Sequence, residues 1–303
     1  MLLKLLILQL KNVLTDGIRM KKIGIILVNY NGLKDTVECI KSINKSDYSN
    51  YEIIVVDNNS IENVEKISDY DNVILKKLND NVGFGVANNI GADIAVQDNC
   101  DLIFCLNNDT VILPNTLSIL AKNTNDRTIT TGAIYYYFNK KKLWYGGGEV
   151  SKIKGTFRHK NYNESRGVSF ISGCAMMLTV GCYKKIGLFD PAYFMYYEDS
   201  DFSLKALKNG YILKYIYEAK IYHRVGDSSS KISGLKDYYL TRNRLYILNK
   251  YKDIFLPTTK VYFFLTRIME LLKYKMMHKD TKFMLNGIHD YKKGITGKNN
   301  AIN

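Results

Sequence analysis

Three carboxylates stand within four residues, in the segment Tyr-Tyr-Glu-Asp-Ser-Asp over 196–201. Glu198, Asp199 and Asp201 follow an aromatic run and open a predicted helix over 199–209. One acid would be enough to stabilise the positive end of a helix dipole. Crowded carboxylates repel one another and raise a pKa, which suits a general base. The cluster indicates acid–base catalysis, with helix capping as the alternative, and the aromatic run offers a stacking wall for a sugar ring.

A second polar cluster, Asn107, Asn108 and Asp109, follows the apolar run 102–106. Its oxygens are hard ligands, and such ligands suit Mg²⁺ or Mn²⁺ that bridges substrate phosphates. A turn or a helix cap would use the same residue types. The cluster is therefore a candidate metal site that needs support from other parts of the chain.

Two further segments have the composition of phosphate or metal contacts. His223 and Arg224 follow a predicted strand, where a histidine can bind metal or serve the structure and an arginine can meet a phosphate. The segment 79–89 contains Gly83 and begins a helix whose N–H groups can receive phosphate. It lacks the GxGxxG fingerprint, and the chain has no GxxxxGK[ST], GxSxG or HExxH motif.

The elements that must position these residues follow from the apolar runs. Continuous runs predict buried strands, and spacings of three and four residues predict helices between them. In the first half, we expect strands over 23–29, 51–56, 73–76 and 102–106 and helices over 33–44, 61–68 and 84–97. This alternation predicts an α/β fold with a mostly parallel, Rossmann-like sheet and flanking helices.

Polar residues follow three of these strands, at 29–31, 57–60 and 107–109. In parallel sheets, ligands bind beyond the carboxyl ends of the strands. We therefore expect the three segments to converge on one crevice, although each by itself is also typical of an Asx turn.

The second half is less regular. We expect strands over 128–138, 168–180, 211–217 and 219–223 and helices over 199–209, 235–251, 257–277 and 283–292. The last three helices form a predicted C-terminal helical extension.

The net charge of +14 indicates an anionic partner: nucleic acid, a phosphorylated small molecule or a membrane surface. Nine of these excess charges lie in 235–303, and no helix-turn-helix, zinc or RNP-like motif appears, which argues against nucleic acid. The apolar runs of this segment are broken by charges. They predict a basic amphipathic helix at an anionic membrane, a helix packed on the main domain, or a homodimer contact.

The N-terminus and the cysteines bear on location. The first 14 residues are apolar but too short to span a membrane, so we interpret 1–21 as a leader or a misannotated start before Met20. The five cysteines form no CxxC pair, which favours a reducing cytoplasm, with the protein soluble or peripheral at the inner face of the cell membrane.

Taken together, the motifs resemble those of family 2 glycosyltransferases of the GT-A fold, close to the rhamnosyltransferase-like branch. The resemblance covers about residues 22–250. The matching segments, in order, are VNYN, VVDNNS, NxGFGxANNxG, LNNDT, SGCAMM, YYEDSDFSLKALKNGY and YHRVGDS. Each segment is weak alone, whereas the set in this order is specific.

The resemblance implies contacts with a nucleotide-sugar. Val28, Tyr30 and Asn31 would lie in the loop that meets the base, and Asp57 and Asn58 would meet base and ribose. In the same way, the resemblance places Gly83, Phe84, Asn88, Asn108 and Arg224 near the donor and Gly173 near the acceptor.

The resemblance also implies catalytic and metal roles. Asp199 matches the catalytic base of inverting members, with Glu198 and Asp201 beside it. Asp109 matches the last acid of the DxD motif, and His223 matches a histidine that joins the metal or the diphosphate. The first acid of DxD is Asn107 here, so Mg²⁺ or Mn²⁺ would depend more heavily on Asp109 and the substrate.

The implied function is an inverting, metal-dependent transfer of a sugar, with dTDP-rhamnose as the guessed donor and a glycan or lipid-linked saccharide as the acceptor. A nucleotidyltransferase is the enzyme alternative, and a basic nucleic-acid-binding protein is the alternative from another class. The implied domains are a catalytic domain over 22–234, with a nucleotide half at 22–112 and an acceptor half at 113–234, and the extension over 235–303.

Overall fold

The structure, a computed structural model, describes residues 19–225 and 234–300. Its strands are β1 Ile23–Asn29, β2 Tyr51–Asp57, β3 Val73–Lys77, β4 Leu102–Leu106, β5 Thr110–Ile112, β6 Thr128–Tyr136, β7 Asn139–Tyr145, β8 Gly148–Ser151, β9 Thr156–His159, β10 Arg166–Val168, β11 Ala175–Thr179 and β12 Ile212–His223. Its helices are α1 Leu33–Ile43, α2 Phe84–Gln97, α3 Thr116–Asn123, α4 Val180–Ile186, α5 Glu198–Lys208, α6 Leu235–Lys250, α7 Thr258–Met276 and α8 Lys282–Lys292, with a 3₁₀ helix at Glu65–Asp69. Most of the predicted leader, up to residue 18, lies outside the described residues, as does the end of the YHRVGDS motif.

A ten-stranded sheet forms the centre of the fold, in the order β10-β12-β6-β11-β4-β1-β2-β3, with β5 paired to β12 and β7 to β6. The strands β4, β1, β2 and β3 are parallel, as the alternation of strands and helices predicted. Beyond β4 the sheet is mixed, because β11 runs antiparallel between β4 and β6. The α/β class with flanking helices is confirmed, and the parallel strand pairs are concentrated in the first half of the chain.

Several predicted elements differ from the structure. The strand expected over 168–180 is two strands, β10 and β11, separated by the loop that contains Gly173. The helix expected over 61–68 is only the 3₁₀ helix at Glu65–Asp69. The two strands expected over 211–223 are the single strand β12, which carries an irregularity between Ile216 and Lys220.

The strands β5 and β7 to β9 were not predicted, and two of their properties explain this. The strand β7 begins with four exposed polar residues, so it has no apolar run. The strands β8 and β9 form a separate two-stranded hairpin of four residues each, too short for a visible alternation. The strand β5 has only three residues, so it is also too short to show a pattern.

The sheet is buried on both faces. One core lies between the sheet and α1, where Ile40 and Ile43 are fully buried. The other core lies under α2, where Ala87, Ala92 and Ala95 let the helix approach the strands closely. The two cores fix the strand ends, and with them the polar residues that follow each strand.

The C-terminal helices α6, α7 and α8 pack beside this sheet through a separate aromatic core that includes Tyr193, Leu248 and Phe263. The helix α6 is buried over most of its length, and α8 packs against it. Over residues 19–225 and 234–300, no helix combines the length and the apolarity needed to cross a membrane.

Candidate active site

The carboxyl ends of β1 and β2 meet through buried amides and a carboxylate. The strand register places Asn29 opposite Asp57, and the Asn29 amide donates to Asp57 Oδ1 at 2.8 Å. The side-chain oxygen Oδ1 of Asn29 in turn accepts from the Thr36 hydroxyl at 2.8 Å. The next residue, Asn58, donates to Asn81 Oδ1 at 2.9 Å. The polar ends of two strands therefore form one connected network.

The third polar segment joins the same network. The Asn108 amide donates to Thr36 Oγ1 at 2.8 Å and lies 3.4 Å from Asn29 Oδ1. At the rim, Tyr30 is 51% exposed, and the side-chain oxygen Oδ1 of Asn31 accepts from the Ile61 N–H at 2.8 Å. The three polar segments therefore meet at the carboxyl edge of the sheet, as expected, and Val28 is half-buried beside them.

A carboxylate and an imidazole meet next to this edge. Asp109 Oδ1 lies 3.1 Å from His223 Nε2, and both side chains are mostly buried. The pairing of β5 with β12 brings them together, because it sets Thr110 opposite His223. Burial lowers the pKa of His223, but Cys174 and Asp109 outweigh it and raise that pKa to about 10.

The pair offers donors for a divalent cation. The buried Asn107 Oδ1 has no hydrogen-bond partner among the described residues, so it remains free to accept a ligand contact. A carboxylate, an amide oxygen and one imidazole form an oxygen-rich set that suits Mg²⁺ or Mn²⁺. Within the described part of the chain, no group of three or more His, Cys, Asp and Glu side chains could hold a metal. The remaining coordination positions would have to come from substrate and water.

The acidic cluster lies at the start of α5. The Gly173 N–H donates to Asp199 Oδ2 at 3.0 Å, and the Ser200 hydroxyl lies 3.3 Å from Asp199 Oδ1. Burial raises the pKa of Asp199. Burial and the neighbouring Asp199 charge raise the pKa of Glu198 to about 8. A carboxyl with a raised pKa that is still held by a backbone donor is suited to general-base work.

Two consecutive residues connect the acidic cluster to the candidate metal pair. Gly173 holds Asp199, and the Cys174 carbonyl accepts from the Asn107 N–H at 2.8 Å. The Cys174 sulfur is also close enough to His223 to affect the pKa of both groups. A candidate base and a candidate metal site therefore share one crevice at the strand ends.

The model of glycosyl transferase family 2 matches residues 24–187, which is more than half of the chain. The chain belongs to glycosyltransferase family 2. The matched region starts in β1 and ends after α4, so it includes Asp57, Asp109 and Gly173.

This glycosyltransferase is similar to dTDP-rhamnosyl transferase RfbF of Shigella flexneri, with 28% identity over 298 residues that cover 90% of this chain and 96% of that protein. Among solved structures, it matches GalNAc-T7 in complex with UDP, GalNAc and Mn²⁺, with a TM-score of 0.63 and 18% identity. That match covers 92% of this chain and 58% of GalNAc-T7.

It also matches residues 1–349 of Staphylococcus aureus TarS in complex with UDP-GlcNAc, with a TM-score of 0.57, 18% identity, and coverage of 90% of this chain and 81% of that one. The mannosyltransferase PcManGT of Pyrobaculum calidifontis, solved with GDP-Man and Mn²⁺, matches with a TM-score of 0.57 and 13% identity over 77% of this chain and 65% of that one. These likenesses confirm the GT-A fold.

In this glycosyltransferase, a strained backbone precedes the acidic cluster. Tyr196 and Tyr197 have φ values of 65° and 73°, which non-glycine residues seldom adopt. The amide of Asn243 in α6 donates to the carbonyls of Met195 and Tyr196 at 2.9 and 3.0 Å. A C-terminal helix therefore holds the loop that presents Asp199. Sequence reasoning missed this residue, because a polar residue in a helix carries no local sign of such a contact.

The loop that begins α2 packs against the same aromatic run. Gly83 has a φ of 87°, and a Cβ there would lie 2.3 Å from the Phe194 carbonyl oxygen. The Phe84 N–H donates to that carbonyl at 3.2 Å, and the buried Asn88 donates to the Phe84 carbonyl at 2.9 Å. The structure therefore brings Gly83, Phe84 and Asn88 beside the acidic cluster.

Two predicted site residues lie elsewhere. Asp201 is fully buried, pairs with Lys250 at 2.7 Å and accepts from the Tyr193 hydroxyl at 3.2 Å, so it faces the C-terminal core rather than Asp199. The Arg224 guanidinium pairs with two carboxylates of α1, Asp35 and Glu38. Both side chains are engaged in ion pairs within the protein.

Sequence reasoning also missed an aromatic pair beside His223. The ring centroid of Trp144, the only tryptophan of the chain, lies 4.8 Å from that of His223 and 4.6 Å from that of His159. Burial lowers the pKa of His159, although Asp199 opposes this effect. The strands β7 and β9, which carry these rings, form one wall of the site.

Proposed function

We propose that this glycosyltransferase moves a sugar, with inversion, from a nucleotide-diphosphate sugar to a hydroxyl of a glycan or lipid-linked saccharide in cell-surface polysaccharide synthesis. The connection of Asp199 to the Asp109–His223 pair through Gly173 and Cys174 carries this proposal. Inverting transfer needs a base on one side of the sugar and charge neutralisation at the leaving diphosphate on the other. The arrangement supplies both within one crevice.

We propose that the nucleotide binds at the ends of β1 and β2. Val28, Tyr30 and Asn31 would meet the base, and Asp57 and Asn58 would accept hydrogen bonds from base and ribose. The exposed ring of Tyr30 supports stacking on the base. The guess of dTDP-rhamnose as donor is supported by the Shigella flexneri relative, which is named a dTDP-rhamnosyl transferase.

Asp109 and His223 would hold Mg²⁺ or Mn²⁺, with Asn107 Oδ1 as an additional oxygen donor. A bound cation would supply positive charge to the leaving diphosphate. GalNAc-T7 and PcManGT were both solved with Mn²⁺, which supports Mn²⁺ over Mg²⁺. The Arg224 guanidinium is paired with Asp35 and Glu38 of α1. We therefore propose that Arg224 positions α1 beside the site.

We assign the general base to Asp199. Its carboxylate would accept the proton of the acceptor hydroxyl as that oxygen attacks the anomeric carbon from the face opposite the diphosphate. Glu198 would lie beside the base as a carboxyl whose pKa is raised by burial and by the Asp199 charge, and Asp201 would anchor α5 through Lys250. Gly173 would hold Asp199 through its N–H, and a Cβ at this position would lie 3.3 Å from the Asp199 Cβ, so the glycine lets the two segments pack closely beside the acceptor.

The test is a product assay with radiolabelled donors. We expect dTDP-rhamnose with Mn²⁺ to yield dTDP and a glycosylated acceptor, and UDP- and GDP-sugars to react more slowly. Transfer of the dTMP group, with release of rhamnose 1-phosphate, would instead support the nucleotidyltransferase alternative. If the enzyme reacted only with a UDP-sugar, the assignment of the donor would change and the proposal of sugar transfer would stand.

We further propose the division into a nucleotide half at 22–112, an acceptor half at 113–234 and an extension at 235–303. The extension would hold the enzyme peripherally at the inner face of the cell membrane, with a homodimer contact as the alternative. A position at that surface would bring a cytoplasmic enzyme to a lipid-linked acceptor.

A further inference from the structure

The outward face of α7 is apolar. Seven of its side chains are exposed by 46% to 77%, and all are aliphatic, aromatic or methionine: Val261, Phe264, Leu265, Ile268, Met269, Leu272 and Met276. Their spacing of three and four residues places them on one stripe of the helix. Contiguous apolar patches of this kind mark interaction surfaces.

The inward face of the same helix is already occupied. Phe263 is fully buried under the Arg244 guanidinium at 5.3 Å, and the Tyr274 hydroxyl donates to Asp237 at 3.1 Å. The usual order of an amphipathic helix is therefore reversed, since its most apolar stripe faces away from the protein. Packing within the chain does not explain that stripe.

Positive charges flank the stripe. Lys260, Lys273 and Lys275 are exposed on α7, and its one acid, Glu270, is paired with Arg267. A groove of about 670 Å³ beside the end of the helix combines an apolar floor, which includes Leu272, with lysine side chains. Apolar side chains flanked by lysines match the acyl region and the phosphates of an anionic bilayer. Two copies of this face would instead oppose like charges.

We propose that the outward face of α7 docks on an anionic lipid bilayer, with the apolar stripe among the acyl chains and the lysines at the phosphates. This proposal rests on the proposed function and adds the orientation of the enzyme relative to the membrane. Phe263 of α7 and Tyr197, directly before the acidic cluster, pack in the same aromatic core. This core therefore connects α7 to the loop that presents Asp199.

The experiment is flotation of the full chain with phosphatidylcholine vesicles, with and without phosphatidylglycerol. We expect binding to the anionic vesicles and its loss in the triple variant F264S/I268S/L272S. The matched control, I61S/F138S/I212S, removes apolar side chains that are exposed by 53% to 95% elsewhere and should bind as the parent does. Unfolding temperatures should match in all three proteins, because these positions are exposed.

A second pair of variants tests the charges. Replacing Lys260, Lys273 and Lys275 by Gln should weaken binding to anionic vesicles by about fivefold per lysine, whereas replacing Lys41 and Lys45 should have little effect. If the parent and the variant F264S/I268S/L272S floated equally with anionic vesicles, the proposal would be overturned. The proposal would also be overturned if the parent formed a dimer and did not bind vesicles, and if the serine variant lost that dimer. Sugar transfer to a soluble acceptor is measured separately, so failure of docking and failure of the proposed function are distinguishable.

Discussion

Replacing Asp199 with Asn separates catalysis from structure at the proposed base. The Asn carbonyl can still accept from the Gly173 N–H, now 3.0 Å from Asp199 Oδ2, and the Asn amide can donate to the Ser200 hydroxyl. The loop geometry is therefore kept while the base is removed. Loss of general-base catalysis lowers kcat by about 10²- to 10⁴-fold, or about 3–5 kcal/mol in the activation barrier.

The same substitution should stabilise the fold. Burial raises the pKa of Asp199, so its ionised form costs folding free energy at neutral pH. A neutral Asn removes that cost, and we expect the Tm of D199N to be equal to or above that of the parent. Donor affinity, measured by calorimetry with a nucleotide-sugar and Mn²⁺, should be unchanged, because the proposed nucleotide contacts lie at the ends of β1 and β2.

Asp201→Asn is the matched control from the same helix. Asp201 is fully buried and pairs with Lys250 in the C-terminal core, away from Asp199, so the folded D201N enzyme should keep the kcat of the parent. The assay is steady-state kinetics at a temperature where both variants are folded. If D199N retains more than about a tenth of the parent kcat, or if D201N loses activity like D199N, the assignment of the base is refuted.

Three further outcomes follow from the geometry. Adding Mn²⁺ with a nucleoside diphosphate should quench the fluorescence of Trp144, the sole tryptophan, whose ring lies 4.8 Å from that of His223. Asp109→Asn should abolish this quenching, and quenching that persists in that variant would place the metal elsewhere. The stability of the parent should fall as the pH rises from about 4.5 to about 8, because the folded chain retains the Glu198 proton that the unfolded chain loses. E198Q should flatten this slope in thermal unfolding, and an unchanged slope would exclude Glu198 as its source. Gly83→Ala should lower the Tm and the activity together, since its Cβ would lie 2.3 Å from a carbonyl oxygen at a φ of 87°; a variant as stable as the parent would show that the loop can shift.

The first half of the chain, which contains β1 to β4, could be predicted from the sequence for a physical reason. Strands such as β1 and β2 are buried on both faces, so their residues are continuously apolar, and the polar residues after them stand out. Parallel pairing then brings Asn29, Asp57 and Asn108 together without any knowledge of side-chain contacts. Local pattern and global topology agree in this half.

The second half of the chain, which contains Asp199, could be predicted only in part. Asp199 was recognisable because three acids crowd the start of one helix, but nothing local distinguishes it from Asp201, which faces a different core. Trp144 and His159 lie on β7 and β9, which have no clear alternation, and reach the site only through the tertiary fold. The burial direction and long-range contacts of these residues depend on the whole chain.

The positive charge of the C-terminal segment separates into two groups with different physical roles. Its arginines point inward: Arg242 lies over the Tyr239 ring at 4.8 Å, and Arg244 and Arg267 lie over the Phe263 ring at 5.3 and 5.8 Å. A planar guanidinium stacks well on aromatic rings and tolerates burial better than an ammonium group. The lysines of α7 stay exposed, as strongly hydrated charges should. The arginines therefore help to build the helical support of the catalytic loop, and only the lysines remain to attract an anionic surface.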